Sequence, residues 1–346
     1  MRWSIVLLLT AGGFGACLGA VISAKKQAND QPQRNQEPNQ YLTRIQPAID
    51  QTQTTQLEVK KVPADFSEQA FRHVRALVNF GPRYYGQPGW SKQLDYIEMT
   101  LKKAGIETKR DTWTDRKELI TFSNITATIP GQREERIVLG CHHDTKCTTG
   151  HPDQNHNFHF VGANDGASAV ALLLTLAPIL KQQENQATIE LVFFDGEESL
   201  DWNWNEAARA LFGSKRYVKK HRDALLLGKE PRIEAMVLLD MVGSKNLHIQ
   251  EELYSTTLMR RICWSAALAT GNQQHFYRRA EAAADDHKPF LDVGIPSIDL
   301  IDLNGNPTWH TKDDTIENMS AESIQKVADV VLTMLPAIEQ AYLKNQ

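Results

Sequence analysis

Apolar residues recur along this chain with two different periods. From Asp65 onward, Ala70, Phe71, Val74, Leu77 and Val78 share one face of a helical wheel until Gly81-Pro82 breaks the pattern. Asp65 followed by Glu68 predicts a capping box at the start of that helix. Leu94, Ile97, Leu101 and Ala104 predict a second helix with Gly105 at its C-cap. The period then shortens. Leu119 to Ile129 alternates in places and stops at Pro130-Gly131, and Arg136 to Gly140 is a short apolar run that ends in Cys141-His142-His143-Asp144. A polar loop, Thr145 to Phe160, leads through Val161-Gly162-Ala163-Asn164-Asp165-Gly166 into a small-residue, leucine-rich helix from Ala167 to Leu180. Further strands are predicted at Ile189–Phe194, at Ile233–Leu239 ending in Asp240, and at Ile295–Ile301. A last helix starts at Ser320, with Ile324, Val327, Val331, Leu335 and Ile338 on one face.

Strands without polar alternation are buried on both sides, so their alternation with helices predicts an α/β sheet covered on both faces. Ligands in such sheets bind beyond the carboxyl ends of the strands. The residues at or just past those ends are His142, Asp144, Asp165, Glu197, Glu198, Asp240, Asp285, Asp286 and His310. One Asp after a strand commonly means a turn. Two histidines and several carboxylates, each from a different strand end, instead match the nitrogen and oxygen donor set of a catalytic zinc site. Glu197 and Glu198 leave the strand Leu191-Val192-Phe193-Phe194 side by side and point in different directions, so one can bind a metal while its neighbour handles protons.

Composition adds limits. Of the 346 residues 41% are hydrophobic and 23% charged, enough for a sizeable core, and a net charge of -4 gives no electrostatic case for nucleic acid. Trp3 to Ala24 carries no charge, with Arg2 before it and Lys25 and Lys26 after it. Residues 1–24 are therefore expected to be a signal peptide or a membrane anchor, Gly15-Ala16-Cys17 resembling the end of a bacterial lipoprotein signal. The expected location is exported: periplasmic, extracellular or held to a membrane by that segment alone. Nine glutamines between Gln27 and Gln56 mark residues 25–62 as a flexible linker, which leaves 63–346 as one catalytic domain, expected to be a monomer. Four cysteines, Cys17, Cys141, Cys147 and Cys263, are too few for a disulfide framework; Cys141 and Cys147 are either two inert thiols or the ends of a small closed loop.

His142-His143-Asp144, Gly162-Ala163-Asn164-Asp165, Phe194-Asp195-Gly196-Glu197-Glu198, Leu239-Asp240 and Trp309-His310-Thr311 occur in the order of the aminopeptidase-like zinc peptidase superfamily, which the chain resembles from about Phe66 onward. The resemblance implies a central mixed, mostly parallel twisted sheet with helices on both faces. Within that superfamily, Cys141 before His142, Lys146, Trp202 and Trp204, Asp285-Asp286-His287-Lys288-Pro289-Phe290 and Trp309 before His310 look like the zinc-dependent glutaminyl cyclases. That likeness implies one zinc on Asp165, Glu198 and His310; Glu197, Asp240 and Asp285 handling protons; and Trp202, Trp204, Trp309 and Lys146 binding a peptide or protein N-terminus that bears Gln. The alternative, a di-zinc aminopeptidase, would use His142, Asp165, Glu198, Asp240 and His310 for two zinc ions, with Asp144 and Asp286 as second-metal or structural groups.

Two features depart from the cyclase pattern. The animal cyclases pair the cysteine before the histidine motif with one in the following helix, which has none here, so Cys147 stands as a substitute. The aromatic residue expected shortly before Trp309-His310 is replaced by Leu303-Asn304-Gly305-Asn306-Pro307, which puts substrate preference in question. His151, His156 and His159 are read as belonging to a surface loop.

Overall fold

The computed structural model describes residues 45–204 and 207–343; the expected leader or anchor at 1–24 lies outside them. In chain order the helices and strands are α1 (Phe66–Val78), α2 (Pro88–Lys103), β1 (Thr108–Thr114), β2 (Thr121–Ile129), β3 (Arg136–His142), α3 (Ala167–Gln182) and β4 (Thr188–Phe194). They continue with α4 (Phe212–Leu226), β5 (Ile233–Asp240), β6 (Ile249–Glu252), α5 (Thr257–Thr270), β7 (Phe276–Glu281), α6 (Lys288–Asp292), β8 (Ser297–Ile301) and α7 (Ala321–Tyr342). Six strands form one sheet in the order β1-β2-β4-β3-β5-β8. The β4–β3, β3–β5 and β5–β8 pairs are parallel, and β1–β2 and β2–β4 are antiparallel. The mixed, mostly parallel sheet is thus present, and β6 and β7 make a small parallel pair of their own.

Both faces of the sheet are covered, and the side chains of each strand divide between them. Ile137, Leu139 and Cys141 of β3, with Leu191 and Phe193 of β4, join the large core under α1, α2, α3, α5 and α7. Val138, Val192 and Phe194 point the other way, against Val218 of α4 and Phe290 of α6. Gly140 of β3 exists for this second core: a Cβ there would lie 2.7 Å from the Phe194 ring. Phe194 meets Tyr217 and Phe290 edge-on at 5.9 and 6.1 Å between ring centroids.

Several local expectations change. Asp65 is the N-cap of α1 but makes no capping hydrogen bond; its carboxylate accepts from Gln69 Nε2 at 2.6 Å, and Glu68 pairs with Arg72. Gly105, with φ +69°, follows the C-cap of α2, which is Ala104. The strand expected from Ile295 starts at Ser297, because Pro296 has no N–H to give to the sheet. β1 escaped the pattern because Thr-Lys-Arg-Asp-Thr-Trp-Thr has no apolar alternation; it is an edge strand held by its backbone pairing with β2.

The expected flexible linker does not extend over residues 45–62. That stretch has no helix or strand, yet Ile49 and Val62 are buried. Glu251 Oε1 accepts the Ile49 N–H at 2.6 Å and Arg260 Nη1 at 2.5 Å, while Arg260 Nη2 donates to the Pro47 carbonyl at 2.9 Å. Asp329 accepts the Val62 N–H at 2.8 Å. Polar composition foretold the lack of regular structure but not these anchors, which come from residues about two hundred positions away. Removing one partner of a buried ion pair strands the other charge. Glu251→Ala should therefore destabilise the protein by about 3–5 kcal/mol in urea unfolding, since the Glu251 and Arg260 side chains are 2% and 0% exposed. A loss below about 1 kcal/mol, the range of an exposed pair, would show that the strap is not held there.

Candidate metal centre and active site

β3, β4, β5 and β8 end on the same edge of the sheet, and the turns beyond them carry the acids and histidines. The Glu198 carboxylate lies 2.9 Å from His310 Nε2, and Asp165 Oδ2 lies 3.4 Å from the same nitrogen. Asp165, Glu198 and His310 each offer one donor atom within 4.8 Å of the others, and all three are buried. A second group with the same property, His142, Asp165 and Asp240, shares Asp165. Asp165 Oδ2 and Glu198 Oε2 have no hydrogen-bond partner. Two carboxylates turned toward an imidazole in a dry pocket, with acceptor atoms left over, fit a divalent cation with the ligand preferences of zinc.

Buried carboxylates hold the backbone of both turns that carry these candidate ligands. Asp144 accepts the Glu197 and Glu198 N–H groups, each at 3.2 Å. Asp314 does the same for Asn164 and Asp165, at 2.7 and 3.0 Å. Burial, and then the charge of Asp165, push Asp314 up to about 7. The fully buried Arg83 donates through both terminal nitrogens to the Val161 and Gly162 carbonyls. Gly166, at φ +96°, lets the chain turn into α3 close to the site; a Cβ there would lie 2.7 Å from the Asp144 carbonyl.

The turn after β4 is fixed from beneath as well. Asp195 accepts from the Ser123 N–H and from Trp90 Nε1, and burial raises its carboxyl well above the usual range. His143 points away from the cluster: Nε2–H donates to the Ser123 carbonyl and Nδ1 accepts from Gln93. Burial lowers His143 to about 4, in keeping with a neutral ring. Arg83, Asp314, Asp195, His143 and Gln93 were not singled out from the sequence. Of these, only Asp195 and His143 stood inside a motif; Asp314, four residues past His310, read as one more loop acid.

His142 Nε2 sits between Asp165 Oδ1 at 3.2 Å and Asp240 Oδ1 at 3.1 Å, with Nδ1 3.6 Å from Asp144. Burial opposes the His142 cation, but these three carboxylates outweigh it and raise the ring well above its usual value. Burial pushes Asp240 up to about 6, with Asp285 adding to the rise. Asp285 accepts the Asp286 N–H at 2.6 Å, and Asp286, raised well above the carboxylate range by burial and by Asp285, accepts from Ser214. Glu197 is buried with these acids.

Trp309 stacks on the His310 ring at 4.2 Å, and Trp202 lies 5.7 Å from it. Trp202 is in turn stacked on His156 at 3.7 Å, so the histidine-bearing loop, exposed along most of its length, contributes one face of the wall. Trp204 is half-buried, next to the undescribed residues 205–206. Lys146, expected to bind substrate, is instead 1% exposed. Its ammonium donates to the Ser199 and Asp201 carbonyls at 2.7 and 3.1 Å and lies 3.5 Å from Glu198, so it anchors the turn that carries that ligand. Cys141 and Cys147 are both free: Cys141 faces the large core from β3, and Cys147 lies by the hydroxyls of Tyr84 and Tyr85.

A sheet of this topology, with two acid and histidine clusters sharing one aspartate beyond its parallel strands, defines the class. The family model for Peptidase family M28 matches residues 124–335, and the chain belongs to that family. The solved structure of an Acidobacteriales bacterium glutaminyl cyclase is 31% identical, covers 83% of this chain and 100% of its own, and superposes with a TM-score of 0.71. The glutaminyl-peptide cyclotransferase of Drosophila melanogaster is 27% identical over 72% of this chain and 75% of that protein. A Zn-dependent exopeptidase from Parabacteroides distasonis, 25% identical with a TM-score of 0.69, covers 83% of this chain and 100% of its own. Within the family the chain falls among the glutaminyl cyclases.

Two outcomes follow for the metal centre. Asp314→Ala leaves the Asn164 and Asp165 N–H groups without their acceptor, and zinc affinity, measured by competition with a chromogenic chelator, should fall by about 10- to 100-fold. Ligation also needs neutral His310. Burial lowers that ring, but Glu198 and Asp165 more than offset it, so the net shift is upward and the proton is held to higher pH. Zinc affinity should accordingly weaken as pH falls through that range, by up to about tenfold per unit for each proton displaced. Zinc retained unchanged on acidification would remove His310 from the ligand set.

Proposed function

We propose that this protein is a zinc-dependent glutaminyl-peptide cyclotransferase that converts the N-terminal glutamine of peptides or proteins to pyroglutamate with release of ammonia. The likeness to glutaminyl cyclases along their whole length supports this reading, and the buried Glu197, Asp240 and Asp285 beside a three-donor metal cluster supply the groups the chemistry needs. Asp165, Glu198 and His310 would hold one zinc. When bound, it supplies a Lewis acid that polarises the side-chain amide carbonyl.

The α-amine of the glutamine attacks its own side-chain amide carbon, forming a C–N bond as the bond to the amide nitrogen breaks. Because the two groups belong to one residue the reaction is already intramolecular, and holding the chain folded between Trp202 and Trp309 selects the conformer in which amine and carbonyl meet. Glu197 accepts the proton that the amine gives up and delivers it to the departing ammonia. Its backbone is held by Asp144, so the carboxylate acts from a fixed position. Beside it, burial and then the charge of Asp285 raise Asp240, so Asp240 keeps its proton to higher pH than an exposed acid. The half-buried tryptophans keep water from competing for the carbonyl. Export through residues 1–24 and action as a monomer complete the proposal.

A second reading, a di-zinc aminopeptidase, draws support from the His142, Asp165 and Asp240 group and from the exopeptidase neighbour. In the cyclase the proton on His142, between Asp165 and Asp240, balances the charge that a second cation would balance there. Metal analysis separates the two: about one zinc per chain fits the cyclase and about two the peptidase. Incubation with a Gln-initiated peptide should release one ammonia per peptide, with the matching mass loss and no free amino acid; release of the first residue would replace the cyclase by the peptidase. Glu197→Gln should keep its zinc and lose about 10²- to 10⁴-fold in kcat, and turnover near the parent rate would assign the proton transfer elsewhere.

A further inference from the structure

The turn between β8 and His310 is shaped around an arginine from another segment. Gly305 has φ +89°, and a Cβ there would lie 2.5 Å from Nη1 and 3.2 Å from Cζ of Arg279. The guanidinium therefore occupies the space that a side chain at 305 would take, and its Nη1 donates to the Asn304 carbonyl at 3.0 Å. Arg279 is exposed on β7, whose continuation carries Ala283 and Asp285. The turn it touches continues to Trp309 and His310. Both segments close on the same small apolar cluster, in which Met241, Ala283, Ile301 and Leu303 support Trp309. Arg279 thus stands on the exposed edge of the turn that leads to Trp309, tying together the segments that deliver a proposed proton-handling acid and a proposed metal ligand.

The rim around it is cationic. Arg278 is exposed next to it, and His248 is lowered by burial and by the charges of Arg278, His275 and Arg279. Lys326 and Arg278 act in the same direction on His275, after burial. Among the described residues no carboxylate pairs with Arg278 or Arg279. The nearby acid that senses Arg279, Asp302, is 2% exposed, so it lies beneath the rim rather than on the exposed side of the guanidinium. A guanidinium held by one nitrogen on a backbone carbonyl keeps its other donors for a carboxylate.

We propose that Arg279 is a specificity-determining residue that receives an acidic side chain at the second or third position of the substrate peptide. This rests on the cyclase reading: a peptide whose first residue lies against Trp309 leaves the pocket over this rim. Gly305 makes room for the arginine, and the surrounding cations repel basic residues at the same place.

The test compares peptides that begin Gln-Glu, Gln-Ala and Gln-Lys and are otherwise identical, using kcat/KM on the full chain with zinc. The parent should favour Gln-Glu over Gln-Lys by about 1.5- to 5-fold, the range for an exposed ion pair. The preference should shrink in about 0.5 M salt, where screening acts within a few ångströms. Arg279→Gln should flatten the series and Arg279→Glu should invert it, each read as the ratio of Gln-Glu and Gln-Lys to Gln-Ala within the same variant. An unchanged Glu-to-Lys ratio in both variants overturns the assignment while leaving the activity intact. If no peptide of the series is cyclised, the activity itself is wrong, and the assignment falls with it.

Discussion

Too many carboxyl groups are buried in one place for all of them to be ionised, and the site is organised by how that conflict is resolved. Asp144, Asp165, Glu197, Glu198, Asp240, Asp285, Asp286 and Asp314 are all nearly inaccessible at one edge of the sheet. Like charges in a dry interior repel strongly, so each acid needs a cation, a set of N–H donors or a proton. Asp144 and Asp314 take backbone N–H groups, and Asp286 takes a hydroxyl and a raised proton affinity. Asp165 and Glu198 each turn one oxygen toward His310, where a metal ion would complete the balance, and the other Glu198 oxygen lies 3.5 Å from the Lys146 ammonium.

The same economy positions the reactive groups. Asp144 and Asp314 each grip two successive amides, so they fix the turns that carry Glu197-Glu198 and Asp165 without contacting a substrate. Lys146 and Arg83 reinforce those turns by donating to their carbonyls. The parallel core strands set the distances between the turns, because their register is fixed by hydrogen bonds and by burial on both faces. A site built this way tolerates variation at its rim. Gly305 and Arg279 meet on the exposed surface, away from the buried acids.

Much of this was legible in the sequence, and for identifiable reasons. Central strands buried on both faces show as uninterrupted apolar runs, so β3, β4 and β5 could be read to within a residue or two, and with them the rule that ligands gather at their ends. The acids and histidines drew notice because each followed such a run. The polar edge strand β1 and the highly charged helix α4 gave no such signal; they are held by pairing and packing that involve distant residues. Arg83 and Asp314 were invisible for the same reason: a buried charge looks like a surface charge until the groups it serves are known.

Composition and periodicity by themselves determined an α/β sheet, the edge of it to inspect and a donor set suited to zinc, because these depend on residue type and on spacing along one strand or helix. The division of labour among those donors was a tertiary matter. Only the folded chain buried Lys146 against the turn that carries Glu198, left Cys141 and Cys147 apart, and pinned residues 45–62 against Glu251, Arg260 and Asp329. Likewise, only the fold seated His142 between two aspartates and brought Arg279 to fill the space at Gly305. Each of these outcomes joins residues far apart in the chain, and local pattern carries no information about which distant group will meet a given side chain.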